Sequence, residues 1–180
     1  MSATKNILVA GFGGQGVLFG GKFMVYTGMI ADKQVSWLPS YGPEMRGGTA
    51  NCSVIISDTP IGSPIVMNPN VLIVMNGPSL DKFENDCVPG AKVIVDSALV
   101  TRKLARTDVD AFYIPATQMA DSEGLKGLAN MIIIGKTVKA AGICGLDELE
   151  AAMRKTVPEK KKAMFDSNMK AVTLGFNYEA

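Results

Sequence analysis

The chain has 180 residues, of which 18 are basic and 17 acidic, so its formal net charge is +1. Hydrophobic residues at 47% and charged residues at 19% exclude wholesale disorder, and the length suits one compact domain. The balanced charge gives no indication of a nucleic-acid or anionic-membrane partner. We therefore expect a single domain over residues 1–180 that binds neither nucleic acid nor membrane.

The first two thirds of the chain contain several short β-branched or apolar runs that predict strands. They cover residues 7–10, 35–38, 51–57, 71–75, 92–96 and 111–114, with a short edge piece at 65–66. Continuous apolar runs such as 7–10 and 71–75 are typical of strands buried on both faces of a parallel sheet. Pro39 is expected to stop the second strand.

Helical patterns separate these strands and fill the last third of the chain. We predict helices over residues 17–31, 78–86, 125–141 and 146–153, and a final amphipathic helix whose apolar residues are Phe165, Met169, Val172 and Phe176. The basic run Lys160–Lys162 is expected to form a solvated surface. Alternation of strands and helices predicts an α/β fold, a Rossmann-like open and mostly parallel sheet flanked by helices. The C-terminal third is helical, with a tail from about residue 145 to 180.

Cysteine and histidine usage limits the chemistry of the chain. There is no histidine, and the three cysteines, Cys52, Cys87 and Cys144, are scattered without a C-x-x-C motif. A zinc or Fe–S site needs several converging thiolates or imidazoles, so we expect no metal site here. The commonest general base is also missing, and we assign no catalytic residue.

The same features indicate a compartment. An odd, scattered set of cysteines is not a secreted disulfide framework and fits a reducing environment. The apolar run at residues 7–10 is too short for a signal peptide or a membrane span. We expect a cytoplasmic protein.

A glycine-rich loop, Gly11-Phe12-Gly13-Gly14-Gln15-Gly16, stands between the first strand and the first helix. Glycines allow close backbone approach, and the N-terminus of the following helix attracts anions. Three interpretations remain open: a tight turn without a ligand, a dinucleotide site, and a site for another anionic ligand or for a partner's loop. A dinucleotide site needs an acidic residue after the second strand, whereas Asp32 precedes it.

A second loop combines a hydroxyl, a phenol, a carboxylate and a guanidinium with three glycines. Its candidate ligand-binding residues are Ser40, Tyr41, Gly42, Glu44, Arg46, Gly47 and Gly48. Arg46 could hold a carboxylate or phosphate in a bidentate fashion, or it could pair with Glu44 on the surface. We expect Trp37 to pack in the core. In a parallel sheet this loop would lie beside the glycine loop, at the edge where such folds bind ligands.

Together, the glycine loop and the segment from Pro39 to Gly48 resemble the gamma subunits of 2-oxoacid:ferredoxin oxidoreductases, in particular the 2-oxoglutarate and branched-chain (ketoisovalerate) 2-oxoacid members. The resemblance covers nearly the whole chain and extends to the pyruvate enzymes. It implies a complex that oxidatively decarboxylates a 2-oxoacid to an acyl-CoA and reduces ferredoxin. It further implies that thiamine diphosphate, Mg²⁺ and Fe–S clusters are carried by alpha, beta and delta-type partner subunits.

For this chain, the resemblance implies a subunit that holds no such cofactor and helps form the coenzyme A side of a shared active site. The residues expected to line it are Gly11, Gly13, Gly14, Gln15 and Gly16 with the seven residues of the second loop. The isolated chain should be inactive. Two alternatives stay open: a self-sufficient nucleotide-binding oxidoreductase, and a purely structural module for contacts between subunits.

Overall fold

The computed structural model describes residues 4–40 and 49–179 of the chain. These residues contain six strands. In chain order the strands are β1 (Lys5–Phe12), β2 (Gln34–Ser40), β3 (Thr49–Ser57), β4 (Val71–Val74), β5 (Lys92–Asp96) and β6 (Asp110–Ile114). They form one sheet in the order β2-β3-β1-β4-β5-β6.

Pairing in this sheet is mixed but mostly parallel. Strands β1, β4, β5 and β6 pair in parallel, whereas β3 is antiparallel to both of its neighbours, β1 and β2. The predicted α/β fold with a mostly parallel sheet is therefore confirmed. The prediction did not specify that β3 runs antiparallel to its neighbours. Residues 41–48, which join β2 to β3, are fewer than the roughly dozen residues that a parallel crossover needs. An antiparallel pair is the connection that fits this length.

Six helices accompany the sheet. They are α1 (Val17–Ile30), α2 (Gly77–Phe83), α3 (Ala116–Ser122), α4 (Ala129–Ala141), α5 (Leu146–Thr156) and α6 (Lys162–Phe176), and short 3₁₀ turns occupy Glu84–Asp86 and Glu159–Lys161. None of the helices in the described part of the chain is long and apolar enough to cross a membrane.

The sheet is buried on both faces, as the apolar runs predicted. Alternate residues of β1 point to opposite faces: Ile7 and Val9 join the larger core, which includes residues of α1 and α3–α6. Leu8 joins a smaller core with Leu80 of α2. The fold is thus a three-layer arrangement with most of the helices on one face. Trp37 packs against the larger core, as expected.

Three predictions about individual elements are wrong. Residues 65–66 are not a strand but part of the loop between β3 and β4. Pro39 lies inside β2, which tolerates it because β2 is an edge strand. The helix predicted from residue 125 begins at Ala129, because Gly127 adopts a left-handed conformation with φ of 82°, and α3 precedes it unpredicted.

Lys160, Lys161 and Lys162 lie at the junction between the second 3₁₀ turn and α6. All three are exposed. The prediction of a solvated basic surface is therefore confirmed.

Candidate functional site

The two predicted loops begin and end at the same edge of the sheet. Phe12, the last residue of β1, pairs with Thr49, the first residue of β3, and Ser40 at the end of β2 pairs with Asn51. Ser40 and Thr49 flank the second loop, so both of its ends lie on the side where the glycine loop starts. We call this edge the carboxyl rim; it comprises residues 11–16, Ser40, Asn76 and Asp96, which follow or end β1, β2, β4 and β5.

The glycine loop has a conformation that requires glycine at defined positions. Gly14 and Gly16 have φ values of 95° and 74°, which other residues rarely adopt. Gly11 is required for packing instead, since a Cβ there would lie 2.8 Å from the Gln15 Oε1 and 2.9 Å from a Val17 methyl. The tight turn predicted from the motif is therefore present, whether or not it binds a ligand.

The loop leads directly into the N-terminus of α1. Gly16 is the N-cap residue, no described side chain caps this helix, and its first turn contains no acidic residue. The Gly16 carbonyl accepts hydrogen bonds from Gly20 N–H, at 2.9 Å, and from the Asn130 amide, at 3.1 Å. Uncapped N–H groups together with the helix dipole favour an anion at this position.

Gln15 is the polar side chain of the glycine loop, and it is hydrogen-bonded within the protein. Its Oε1 accepts the Phe12 N–H at 2.6 Å, and its Nε2 donates to the Met75 carbonyl at 3.0 Å. The Asn76 amide also donates to Oε1, at 3.4 Å. The side chain therefore joins the end of β1 to the end of β4.

Other polar side chains of the rim hold the neighbouring turns. Asn76 caps α2, because its Oδ1 accepts the Ser79 N–H at 2.8 Å. The fully buried Asp96 carboxylate accepts hydrogen bonds from the Ala98 N–H and from the N–H and hydroxyl of Thr117. Asn76 and Asp96 are not among the residues predicted from the sequence, although each directly follows or ends a predicted strand, which is the signal that could have found them.

The candidate residues divide into two groups. Gly11, Gly13, Gly14, Gln15, Gly16 and Ser40 all lie at the carboxyl rim. The remainder of the predicted set lies outside the described residues: Tyr41, Gly42, Glu44, Arg46, Gly47 and Gly48. For all of these residues, ligand binding stays a prediction.

The three cysteines are free and occupy separate parts of the fold. Burial raises the pKa of the Cys52 and Cys144 thiols to about 12, and that of Cys87 to about 11. Within residues 4–40 and 49–179, no group of three or more His, Cys, Asp or Glu side chains could hold a metal ion.

A groove that sequence analysis missed lies between the sheet and the loop that joins β3 to β4. Its volume is about 570 Å³, and its lining includes Leu38, Ser40, Ser53, Ile65 and Met67. Of the apolar side chains, Ile65 is 60% exposed and Met67 75% exposed. The available signal was the apolar run at residues 65–67, between turn-forming residues, of which residues 65–66 were predicted as a short edge strand.

Comparisons with known proteins agree on one family. A family model described as pyruvate ferredoxin/flavodoxin oxidoreductase matches residues 6–178. A ketoisovalerate oxidoreductase subunit VorA from Methanothermobacter thermautotrophicus is 38% identical over 172 residues, which are 94% of this chain and 35% of the relative. The chain thus spans about a third of the length of that protein. By contrast, a 2-oxoglutarate synthase subunit KorC from Methanocaldococcus jannaschii is 34% identical and is covered over 92% of its length, by 96% of this chain.

Solved structures show the same relationship. The gamma subunit of a keto/oxoacid ferredoxin oxidoreductase from Geobacter sulfurreducens superimposes with a TM-score of 0.84 and 32% identity, over 97% of this chain and 95% of that one. A 2-oxoglutarate:ferredoxin oxidoreductase from Magnetococcus marinus, with 2-oxoglutarate, coenzyme A and succinyl-CoA bound, gives a TM-score of 0.85. Its identity is 21%, over 98% of this chain and 32% of that chain, so this likeness concerns the fold.

Proposed function

Because the chain belongs to the pyruvate ferredoxin/flavodoxin oxidoreductase family, we propose that it is the gamma-type subunit of a 2-oxoacid:ferredoxin oxidoreductase. The complex oxidatively decarboxylates a 2-oxoacid to an acyl-CoA and transfers the electrons to ferredoxin. The observation that carries the proposal is the match to a free-standing gamma subunit over nearly the full length of both chains, at 32% identity.

The proposal places the redox cofactors on the partner subunits, and the side chains available here agree with that placement for the Fe–S clusters. Thiamine diphosphate, Mg²⁺ and the Fe–S clusters belong to the alpha, beta and delta-type partners. For the Fe–S clusters, this assignment is supported by a donor set of three scattered cysteines and no histidine, since a cluster takes several convergent ligands. The complex operates in the cytoplasm, where free thiols such as these remain reduced.

The contribution of this chain is the coenzyme A side of the shared site. Coenzyme A carries phosphate groups, and the uncapped N-terminus of α1 behind Gly13–Gly16 favours such an anion. Arg46, on the second loop, supplies a positive charge that can hold a phosphate in a bidentate fashion. Ser40 and the other residues of that loop line the same side of the site.

Two observations weigh against a self-sufficient dinucleotide enzyme. In a dinucleotide-binding sheet the second strand adjoins the first and ends in an acidic residue that holds the ribose. Here β3 separates β2 from β1, and β2 ends at Ser40. In addition, Gln15 joins the ends of β1 and β4 at the position of the ligand crevice.

A purely structural role would use only the surfaces that contact partners. The groove with exposed Ile65 and Met67 is suited to such contacts, and it is compatible with either role. Substitution of Arg46 in the assembled complex separates the two roles, because only a ligand-binding role predicts a higher KM for coenzyme A.

The proposal is tested by reconstitution. The chain is co-produced with the alpha, beta and delta-type subunits of its own source, the complex is purified, and reduction of ferredoxin is measured with a 2-oxoacid and coenzyme A. We expect activity with all subunits present, and none from this chain alone. A complex that forms without this chain and keeps full coenzyme A-dependent activity would contradict the proposal.

A further inference from the structure

The hydrogen-bond ladder between β1 and β4 is interrupted at the carboxyl rim by a side chain. The two strands are parallel with Ala10 opposite Val74, and the Met75 N–H donates to the Ala10 carbonyl at 2.9 Å. In a regular parallel ladder the next bond would run from the Phe12 N–H to the Met75 carbonyl. Instead, the Phe12 N–H donates to Gln15 Oε1, and Gln15 Nε2 donates to the Met75 carbonyl. The carboxamide therefore takes the place of one direct bond between strands.

The same side chain closes the turn that contains it. The Gln15 N–H donates to the Phe12 carbonyl at 3.2 Å, while the Gln15 side chain accepts the Phe12 N–H. Residues 12–15 are thus held by a reciprocal pair of hydrogen bonds, and the additional bond from Nε2 to the Met75 carbonyl means that both polar atoms of the carboxamide are engaged. Since a buried or half-buried amide that loses its partners costs free energy, this arrangement ties the conformation of the glycine loop to the end of β4.

We propose that Gln15 is a positioning residue rather than a ligand-binding one: its carboxamide holds the ends of β1 and β4 apart and fixes the loop so that the N–H groups around Gly13–Gly16 face the anionic part of coenzyme A. This inference rests on the proposed function. Gln15 acts through the backbone of its own loop, and no other side chain provides the hydrogen bonds to both Phe12 and Met75 among those that the structure describes.

The test uses the reconstituted complex with Gln15→Met, which keeps the length of the side chain and removes both hydrogen bonds. The matched control is Gln118→Met, the same exchange at an exposed position of α3. We expect the KM for coenzyme A to rise about five- to tenfold, corresponding to the loss of one or two hydrogen bonds, with kcat and the KM for the 2-oxoacid nearly unchanged. Amide hydrogen exchange of residues 13–16 should become faster, and the control should change neither quantity.

Each other outcome overturns the inference. A higher KM for coenzyme A with unchanged exchange at residues 13–16 would mean that Gln15 contacts the ligand directly. Faster exchange with an unchanged KM would mean that the conformation of the loop does not matter for coenzyme A. If Gln15→Met does not assemble, Gln15→Glu replaces it, since a carboxylate still accepts the Phe12 N–H but cannot donate to Met75; unchanged exchange in that variant is the contradictory result. A wild-type chain that fails to restore activity contradicts the proposed function, and it does so before any variant is compared.

Discussion

Gly175 of α6 lies against the carbonyl oxygen of Ile132 in α4 so closely that a methyl group on Gly175 would overlap it. The contact is matched nearby, where a methyl group on Gly135 of α4 would overlap the carbonyl oxygen of Val172 in α6. At these two points the helices are therefore in backbone contact, which allows α6 to bury Ala171 and Val172.

Gly175→Ala is predicted to destabilise the fold. The added methyl group has no room against backbone atoms, and overpacking of this kind costs about 1–3 kcal/mol or more. The measurement is the urea concentration at half-unfolding. Gly62→Ala is the control, since a Cβ at Gly62 would meet no atom within 4 Å. Equal midpoints for the two variants would show that α4 and α6 are not in backbone contact.

The buried carboxylate of Glu84 forms hydrogen bonds with the loop that follows β5. Glu84 is 4% exposed; it accepts the N–H groups of Ala105 and Arg106 and forms an ion pair with Arg102 at 2.8 Å. Burial by itself raises the pKa of Glu84. The hydrogen bonds from Arg106, Arg102 and Ala105 together lower it by more, so its pKa lies below the ordinary value of 4.5.

We therefore predict that the free energy of unfolding falls in acid because the Glu84 carboxylate becomes protonated. Because its pKa is depressed in the folded state, its contribution is fully present above about pH 4.5, the unfolded value, and is lost as the pH falls through the lower folded value. Glu84→Gln should reduce the free energy of unfolding at pH 7 by about 1–3 kcal/mol. The difference from wild type should shrink towards pH 3.

The measurement for Glu84 is a series of urea titrations between pH 7 and pH 3. Glu150→Gln serves as control, because Glu150 is exposed and pairs with Arg154 one turn along α5; exposed pairs of this kind contribute little. A difference between Glu84→Gln and wild type that stays constant with pH would rule out this role of the carboxylate.

The two buried thiols, Cys52 and Cys87, are predicted to be unreactive in the folded chain. Burial raises the pKa of Cys52 to about 12, so its thiolate fraction at pH 8 is about a thousandfold lower than that of a thiol with the ordinary value of 9.0. Alkylation by iodoacetamide at pH 8, followed by mass spectrometry, should be slow for Cys52 and Cys87 and fast after unfolding in urea. Rapid alkylation of either residue in the folded chain would refute this.

Arg46→Ala is predicted to weaken the binding of coenzyme A without preventing assembly. Loss of a charge-assisted pair with a phosphate costs about 1.5–3 kcal/mol, so the KM for coenzyme A should rise at least tenfold. Arg154→Ala, on the exposed surface of α5, is the control. An assembled Arg46→Ala complex with unchanged KM values for coenzyme A and the 2-oxoacid would remove the ligand role and leave the structural one.

Much of the sheet could be predicted because its strands are local apolar patterns. Strand β5, Lys92–Asp96, has the predicted bounds, and β1 and β4 contain or nearly match theirs. The antiparallel insertion of β3 could not be read from periodicity, since alternation is the same in either direction; only the short connection from β2 carried that information. Helix α3 was missed because it follows Pro115 directly and ends within one turn of Gly124.

Part of the candidate site could also be predicted from the sequence, and part of it could not. The glycine loop and its place between strand and helix were predictable because the motif is contiguous in sequence. The role of Gln15 was not, since Met75, which accepts its hydrogen bond, is 60 positions away in sequence and offers only a backbone carbonyl. The prediction of an edge strand at residues 65–66 was wrong because a short apolar run gives the same signal in a strand as in a loop that lines a groove.

Insertion of β3 also separates the two ends of the carboxyl rim. Strands in a sheet are spaced by about 4.7–4.9 Å, so the ends of β1 and β2 stand about 10 Å apart with β3 between them. A single inorganic phosphate or a small 2-oxoacid is long enough to contact the rim at Phe12 or at Ser40, but it is too short to contact both. A molecule that engages both ends has to be elongated, with charges distributed along its length, as the coenzyme A of the proposed function is and a small oxoacid is not.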